Sequence, residues 1–170
     1  GGCFWCVEEA FDEVEGVLAT TSGYTGGHVE NPGYRQVTAG DTGHYEALRV
    51  RYDPEVVSYD RLLETFWHNI DPTDPDGQFC DQGPSYRSAI FWRTPEQREQ
   101  AEASKAALRD DPDAPSPITT EILRADAFYE AEDYHQDYYR KNPLRYRFYK
   151  NACGRVSRLE ELWGERAGKP

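Results

Sequence analysis

The first residue that could do chemistry is Cys3, which follows two glycines and directly precedes a helical pattern. Val7, Ala10 and Phe11 share one face of that pattern, so a helix should begin immediately after the cysteine. Free backbone N–H groups at a helix start stabilise a thiolate, and we therefore expect the Cys3 pKa to lie below the free value of about 8.5. This position favours a reactive nucleophile over the small buried thiol that a free cysteine usually is.

Glu46 is the second informative residue. It lies in a segment that alternates like a strand, on the same side as three apolar side chains, Leu48, Val50 and Tyr52. That parity predicts a buried carboxyl with a raised pKa, which can donate a proton near neutral pH. The alternative is that Glu46, at the start of the strand, reaches water. His44 could also be an acid or a metal ligand, although a lone histidine is more often structural.

Four tyrosines flank turns or begin strands, and their phenols could hydrogen-bond an oxygen that gains charge. They are Tyr24, Tyr34, Tyr45 and Tyr86. Most tyrosines pack with the hydroxyl at the rim of a core, so their positions alone select none of them.

The cysteines admit two further interpretations. The chain has four: Cys3, Cys6, Cys80 and Cys153. These are too few for a disulfide scaffold at this length, and they suit either redox chemistry or a metal site. Cys3 and Cys6 have the spacing of a zinc knuckle, which another cysteine or a histidine could complete, but bulky Phe4 and Trp5 fill it. A thioredoxin-type dithiol oxidoreductase also begins a helix with this spacing, but its order of elements does not follow here.

The elements that must position these residues form an α/β pattern. Helices are predicted at 4–14, 59–70, 95–109 and 132–141, with a possible helix at 156–163, and strands at 17–23, 45–52, 87–92 and 118–123. If one strand precedes Gly1, the order becomes β-α-β-β-α-β, a two-layer ferredoxin-like core with a mixed sheet. We expect a single domain over residues 1–170, with an extra strand and helices and an irregular tail at 144–170.

Composition narrows the class of partner. The net charge of −12 argues against nucleic acid, because nothing in the chain could neutralise a line of phosphates. No apolar run is long enough to cross a membrane. Nothing in the sequence forces an oligomer, and we expect a monomer with a cytoplasmic location.

Several sequence blocks resemble the A-type peptide methionine sulfoxide reductases. They occur in order at 2–5 (GCFW), 23–27 (GYTGG), 31–37 (NPGYRQV), 40–46 (GDTGHYE), 71–72 (DP), 86–90 (YRSAI), 131–138 (AEDYHQDY) and 141–143 (KNP). The resemblance covers nearly the whole chain. It implies an α/β fold around a ferredoxin-like core, and an enzyme that reduces the S epimer of methionine sulfoxide, in proteins and as the free amino acid.

The resemblance also implies roles for individual residues. Cys3 matches the nucleophile, and Glu46 matches the acid that protonates the sulfoxide oxygen. Tyr34 and Tyr86 match two phenols that hydrogen-bond that oxygen. Three residues match the substrate pocket: Phe4 and Trp5 as the aromatic wall, and Asp81 on its polar side. Cys3 would become a sulfenic acid, then a disulfide that a thioredoxin-like donor reduces, with no metal or organic cofactor.

The chain departs from that family pattern at its other cysteines. Cys6 stands where many members have glycine, and Cys80 where many have asparagine. The tail carries only Cys153, beside Gly154. Cys153 is our predicted resolving cysteine, with Cys6, one helical turn from Cys3, and Cys80 as alternatives.

Two other classes of function fit parts of the sequence. In a redox-sensing or sulfoxide-binding module, Cys3 would oxidise as a signal without turnover, but the positions needed for proton donation are filled. A zinc-stabilised interaction domain would use the C-x-x-C spacing for structure alone.

Overall fold

The computed structural model describes residues 1–169 and has an α/β fold. The helices are α1 (Phe4–Asp12), α2 (Tyr34–Ala39), α3 (Tyr59–His68), α4 (Pro95–Asp110), α5 (Tyr138–Lys141), α6 (Pro143–Ala152) and α7 (Arg155–Trp163). The strands are β1 (Val17–Thr25), β2 (Tyr45–Tyr52), β3 (Gly77–Gln78), β4 (Asp81–Gln82), β5 (Ala89–Trp92), β6 (Glu121–Arg124) and β7 (Phe128–Glu130). Helices and strands thus alternate along most of the chain, as the sequence predicts.

The strands form both antiparallel and parallel pairs. A three-stranded antiparallel sheet has the order β2-β1-β7, and β5 and β6 form a parallel pair. β3 and β4 form a short antiparallel hairpin. The register of β1 against β2 places Tyr24 opposite Glu46, which brings the strand ends that carry site residues together. The prediction of an α/β fold with a mixed arrangement of strands is confirmed.

Helices α1 and α3 contribute most of the central core. Their buried residues include Val7, Phe11, Leu63, Phe66 and Trp67, and Leu48 and Val50 of β2 pack against them. Burying one such side chain contributes about 1.5–3 kcal/mol. The core therefore fixes α1 rigidly against the sheet, and with it the residues at the start of α1.

The C-terminal tail is helical, so the prediction of an irregular tail was wrong. Pro143 begins α6 instead of only ending the helix before it, since the first position of a helix needs no N–H donor. Tyr146, Leu159 and Trp163 bury the inner faces of α6 and α7. The tail therefore packs on the domain. The helix predicted at 132–141 divides into a 3₁₀ turn (Asp133–His135) and α5.

A cleft of about 710 Å³ separates β2 from β5 and is lined by residues of both strands and by Gly1. The structure describes residues 1–169. A further strand before Gly1 and a single domain over residues 1–170 therefore stay predictions. None of the helices in this part of the chain combines the length and the apolar character needed to cross a membrane.

Candidate active site

The turn before α1 is fixed by close packing. Gly2 has a φ of +77°, and a Cβ there would lie 2.5 Å from the Cβ of Gln78. The Gln78 side chain is itself fixed by two hydrogen bonds with the Asp71 backbone, of 2.9 and 2.6 Å. Only glycine fits beside it. This tight turn places Cys3 at the N-cap of α1.

Cys3 and Glu46 meet at the start of α1. Cys3 is 6% exposed and Glu46 is 3% exposed. The Phe4 backbone N–H donates to Glu46 Oε1 at 3.3 Å, so the carboxyl group lies at the helix N-terminus beside the thiol. The alternative in which Glu46 reaches water is therefore excluded. The alternation of β2, with Leu48 and Val50 in the core, explains this inward direction.

Burial controls the charge of Glu46. It raises the pKa of this carboxyl from 4.5 to about 8, and the nearby Asp81 adds to the increase. The Phe4 N–H and a hydrogen bond with Tyr86 act in the opposite direction. Glu46 is thus a protonated acid at neutral pH, as its strand parity predicts.

Two phenols extend the hydrogen bonds from Glu46. Tyr86 contacts the carboxyl group and also forms a hydrogen bond with Tyr34. Burial raises the pKa of both phenols, so each keeps its proton and can donate it. Cys3, Glu46, Tyr34 and Tyr86, which lie apart in the sequence, are brought together here.

The charge state of Cys3 differs from the prediction. Burial raises the pKa of its thiol, and a hydrogen bond with Cys6 raises it further. A hydrogen bond from the Cys3 thiol, assisted by Arg155, lowers the pKa of Cys6 to about 6. The expected decrease at Cys3 was wrong, because desolvation and the adjacent thiol outweigh the helix N-terminus. Of the two buried thiols, Cys6 is therefore the one on which negative charge is favoured.

Phe4 and Trp5 form an aromatic wall, which is held by groups from the C-terminal half. Trp5 Nε1 donates to His135 Nδ1 at 3.0 Å, and the indole stacks on Tyr138 with ring centres 3.7 Å apart. His135 also lies against the Phe4 ring, at 5.0 Å between centres. His135 and Tyr138 lie in the matched 131–138 block, but sequence reasoning assigned them no role.

Glu132 is a second residue that sequence reasoning missed. Its two carboxylate oxygens accept from the Tyr24 hydroxyl at 2.9 Å and from the Tyr34 backbone N–H at 3.1 Å. It therefore fixes the start of α2, from which the Tyr34 phenol extends. The Tyr24 hydroxyl therefore makes a structural hydrogen bond. The Tyr45 hydroxyl likewise donates to a carboxylate, that of Glu121, at 3.2 Å.

His44 is structural. Its Nε2 atom pairs with the Val29 carbonyl at 2.7 Å, and its Nδ1 atom accepts from the Gly27 N–H at 3.0 Å. Both ring nitrogens are thus used to hold a turn. Sequence reasoning named the structural role as the more frequent one, and the structure agrees with it.

Cys80 and Cys153 form a disulfide, with Cα atoms 4.9 Å apart, whereas Cys3 and Cys6 are free thiols. Cys153 is therefore paired with Cys80 and not with Cys3. Cys80 is exposed, and Cys153 caps the C-terminal end of α6.

Tyr149 connects this disulfide with the nucleophile. Its hydroxyl donates to Asp81, lies 3.9 Å from Cys153 Sγ and forms a hydrogen bond with Cys3. Asp81 therefore holds the phenol that lies between Cys3 and Cys153. No sequence pattern indicated Tyr149, because its role depends on how α6 packs.

The donor groups do not form the zinc site that the C-x-x-C spacing suggested. Within residues 1–169, the groups of three potential ligands are Cys80, Asp81 and Cys153, and Glu8, Asp12 and Asp137. Neither includes Cys3 or Cys6, and the first contains the disulfide. The C-x-x-C pair thus lacks further ligands in this part of the chain.

Comparisons with known proteins agree with the geometry. Residues 1–167 match the family model described as peptide methionine sulfoxide reductase. The chain is 51% identical over 164 residues to peptide methionine sulfoxide reductase MsrA of Bacillus subtilis, covering 96% of this chain and 93% of that protein.

Two solved structures are also similar. One is methionine sulfoxide reductase A of Corynebacterium diphtheriae, with a TM-score of 0.74 and 39% identity, over 84% of this chain and 72% of that one. The other is Mxr1 of Saccharomyces cerevisiae in reduced form, with a TM-score of 0.78 and 31% identity, over 84% and 82% of the two chains.

The fold, together with a buried thiol beside a protonated carboxyl, defines a thiol oxidoreductase. The chain belongs to the peptide methionine sulfoxide reductase family. The resemblance found in the sequence, and the class of enzyme that it implied, are confirmed.

Proposed function

We propose that this enzyme reduces the S epimer of methionine sulfoxide to methionine, with Cys3 as nucleophile and Glu46 as acid. One observation carries the proposal: a carboxyl group with a pKa of about 8 lies at the helix start that holds a buried thiol. A protonated acid is what the reaction needs, because the sulfur of a sulfoxide is a poor electrophile until its oxygen accepts a proton.

The reaction balances with these groups alone. Glu46 protonates the sulfoxide oxygen, and the Tyr34 and Tyr86 phenols stabilise that oxygen as charge develops on it. The Cys3 proton passes to Cys6 along their hydrogen bond as the Cys3 sulfur attacks the substrate sulfur. The protonated oxygen then passes from the substrate sulfur to the Cys3 sulfur. The sulfur–oxygen bond of the substrate and the transient bond between the two sulfur atoms break, methionine leaves, and Cys3 becomes a sulfenic acid.

The walls of the site favour one epimer. Phe4 and Trp5 offer an apolar surface to the S-methyl group, while Glu46 and the two phenols lie where the oxygen must point. Asp81 fixes the polar wall of the site by accepting a hydrogen bond from the Tyr149 hydroxyl. Since methyl and oxygen occupy different walls, exchanging them at the chiral sulfur places the oxygen on the aromatic side. The site needs only the side chain of the substrate, so oxidised proteins and free methionine sulfoxide are both proposed substrates.

Recycling requires thiols that reach the surface. We assign Cys153 as the resolving cysteine, which removes the oxidised state from the buried site by thiol–disulfide exchange. Cys80 is the cysteine with which Cys153 forms the final disulfide. Cys80 is exposed, so a thioredoxin-like dithiol can attack the Cys80–Cys153 disulfide, whereas Cys3 is buried. A reducing compartment such as the cytoplasm would sustain this cycle. The proposed cycle uses groups of one chain, which is consistent with a monomer.

Steady-state methionine formation from each pure epimer tests the function. With dithiothreitol as reductant, the wild type should convert the S epimer, and Cys3→Ser should convert neither. Cys80→Ser/Cys153→Ser should keep dithiothreitol-dependent turnover and lose turnover with thioredoxin. Equal rates for both epimers, or an active Cys3→Ser variant, would contradict the proposal.

A further inference from the structure

Helix α6 carries an apolar ridge that the rest of the described chain leaves uncovered. Leu144 is 80% exposed and Phe148 is 76% exposed, and they lie one helical turn apart. Ala152, one turn further on, is also exposed. These three residues form the α6 ridge, whereas Tyr146 is buried on the opposite side of the helix. Contiguous apolar side chains with this exposure mark a surface that another molecule covers.

The segment around the α6 ridge is basic, although the whole chain has a net charge of −12. Residues 138–159 contain seven lysines and arginines and no aspartate or glutamate. Three of these form ion pairs with carboxylates outside the segment: Arg140, Lys150 and Arg158. Arg145 and Arg147 are exposed, lie on either side of the ridge and form no ion pair within residues 1–169. An acidic molecule, which most of this chain repels, is therefore attracted here.

The α6 ridge ends beside the disulfide that must be reduced. Ala152 directly precedes Cys153, which caps α6 and is bonded to the exposed Cys80. Along the helix axis, Phe148 is only about 7.5 Å from Cys153, at about 1.5 Å per residue. Even a small redox encounter covers about 600 Å² of each partner, a patch about 14 Å in radius. A protein that attacks this disulfide therefore also covers the end of the ridge.

We propose that the α6 ridge is the surface on which the protein reductant docks to reach the Cys80–Cys153 disulfide. The proposal rests on the proposed function, which requires such a reductant. The partner is a dithiol protein whose reactive cysteine lies in an apolar surface with an acidic rim. Phe148 packs on the apolar part, and Arg145 and Arg147 face the rim. The reductant is oxidised to its own disulfide as Cys80 and Cys153 become thiols.

The direction of the ridge favours the reductant over the sulfoxide substrate as its occupant. The substrate reacts at Cys3, on the side of α6 where Tyr146 and Tyr149 pack in one cluster with that thiol. The α6 ridge faces away from this cluster. Docking on the ridge thus leaves the substrate site open, and the two partners of the cycle use different surfaces.

Reduction of the disulfide form by an acidic thioredoxin measures docking directly. Oxidised wild type and variants are mixed with reduced thioredoxin, quenched with an alkylating agent at successive times, and their free thiols are counted. Phe148→Ser should lower the second-order rate constant by about tenfold or more, as for the loss of an aromatic anchor in an interface. Reduction by dithiothreitol, and methionine formed in a single turnover, should stay unchanged, since Phe148 lies away from Cys3.

Matched variants separate docking from general surface effects. Leu18→Ser and Val56→Ser remove apolar side chains that are 60% and 55% exposed on other elements, and both should be reduced at the wild-type rate. Arg145→Glu/Arg147→Glu should slow reduction by about tenfold at low ionic strength, and added salt should shrink the difference. Arg145→Lys/Arg147→Lys, which keeps both charges, should remain within about twofold of the wild type.

Equal rate constants for the wild type and Phe148→Ser would overturn the proposal. The ridge would then have another occupant. An increased KM of Phe148→Ser for an oxidised protein would identify a substrate surface, and loss of a wild-type dimer in sedimentation would identify a second copy. Loss of binding to vesicles of anionic lipid would identify a membrane surface. A wild type that forms methionine but is not reduced by thioredoxin also contradicts the proposal, whereas one that forms no methionine refutes the proposed function.

Discussion

Replacing Glu46 by glutamine should stabilise the protein while it removes most of its activity. Burial raises the Glu46 pKa in the folded protein to about 8, above its ordinary value of 4.5. Between these values, the folded protein keeps a proton that the unfolded chain releases, so the wild type loses stability as pH rises. The shift corresponds to about 5 kcal/mol in full, at about 1.4 kcal/mol per pH unit. Glutamine keeps the shape of the side chain and does not titrate.

The assay is chemical unfolding of both proteins from pH 4 to pH 9. The free energy of unfolding of Glu46→Gln, relative to the wild type, should rise steadily from about pH 5 and level off above about pH 8. Glu55→Gln is a matched control, because Glu55 is exposed and its side chain accepts none of the hydrogen bonds described here. The rate of methionine formation by Glu46→Gln should fall by about 10²–10⁴-fold, as for the loss of a general acid.

A stability difference that does not change with pH would refute this reasoning. It would mean that Glu46 is ionised in the folded protein at neutral pH, stabilised by partners stronger than the Phe4 N–H and the Tyr86 hydroxyl. A Glu46→Gln variant that keeps wild-type rates would refute the assignment of the acid, even if the stability result held.

Two further predictions concern neighbouring residues. Tyr86→Phe should slow methionine formation by about 10²-fold through the lost bond to the sulfoxide oxygen. Because that hydroxyl lowers the Glu46 pKa, the alkaline limb of the pH–rate profile should also move to higher pH. Gly2→Ala should lower the melting temperature by several degrees, since a φ of +77° costs about 1–2 kcal/mol before the clash with Gln78 is added. Gly33→Ala is the control, with a φ of −92° and open space around its Cβ, and an equal loss in both variants would contradict this explanation.

Local sequence patterns were sufficient to predict the strand that carries Glu46 and the helix that carries Phe4 and Trp5. The alternation of β2 predicted the inward Glu46, because the period of two fixes which face each residue takes. The start of α4 could also be predicted from the sequence, because Thr94 is a typical N-cap residue. Its hydroxyl accepts from the Gln97 N–H at 3.2 Å. The helix start after Cys3 was also predicted correctly, because the apolar spacing of Val7, Ala10 and Phe11 is a local pattern.

The charges and the cysteine pairing depend on contacts between distant segments. Cys80 and Cys153 are 73 residues apart, and only the packing of α6 brings them together. The raised pKa of Cys3 arises from its burial, which depends in part on Tyr146 and Tyr149 of the tail. A sequence pattern reports the helix N-terminus but not the desolvation that outweighs it. The same holds for Tyr149, whose role follows from Asp81 on another element.

In the proposed mechanism, Cys3 attacks the sulfoxide while Glu46 protonates it, before any other cysteine reacts. A single-turnover experiment on reduced protein, without added reductant, tests it most directly. We expect one methionine per chain from the S epimer and none from the R epimer, both for the wild type and for Cys80→Ser/Cys153→Ser. Cys3→Ser should form no methionine. A first turnover that survives in Cys3→Ser, or disappears when Cys80 and Cys153 are replaced, would contradict it.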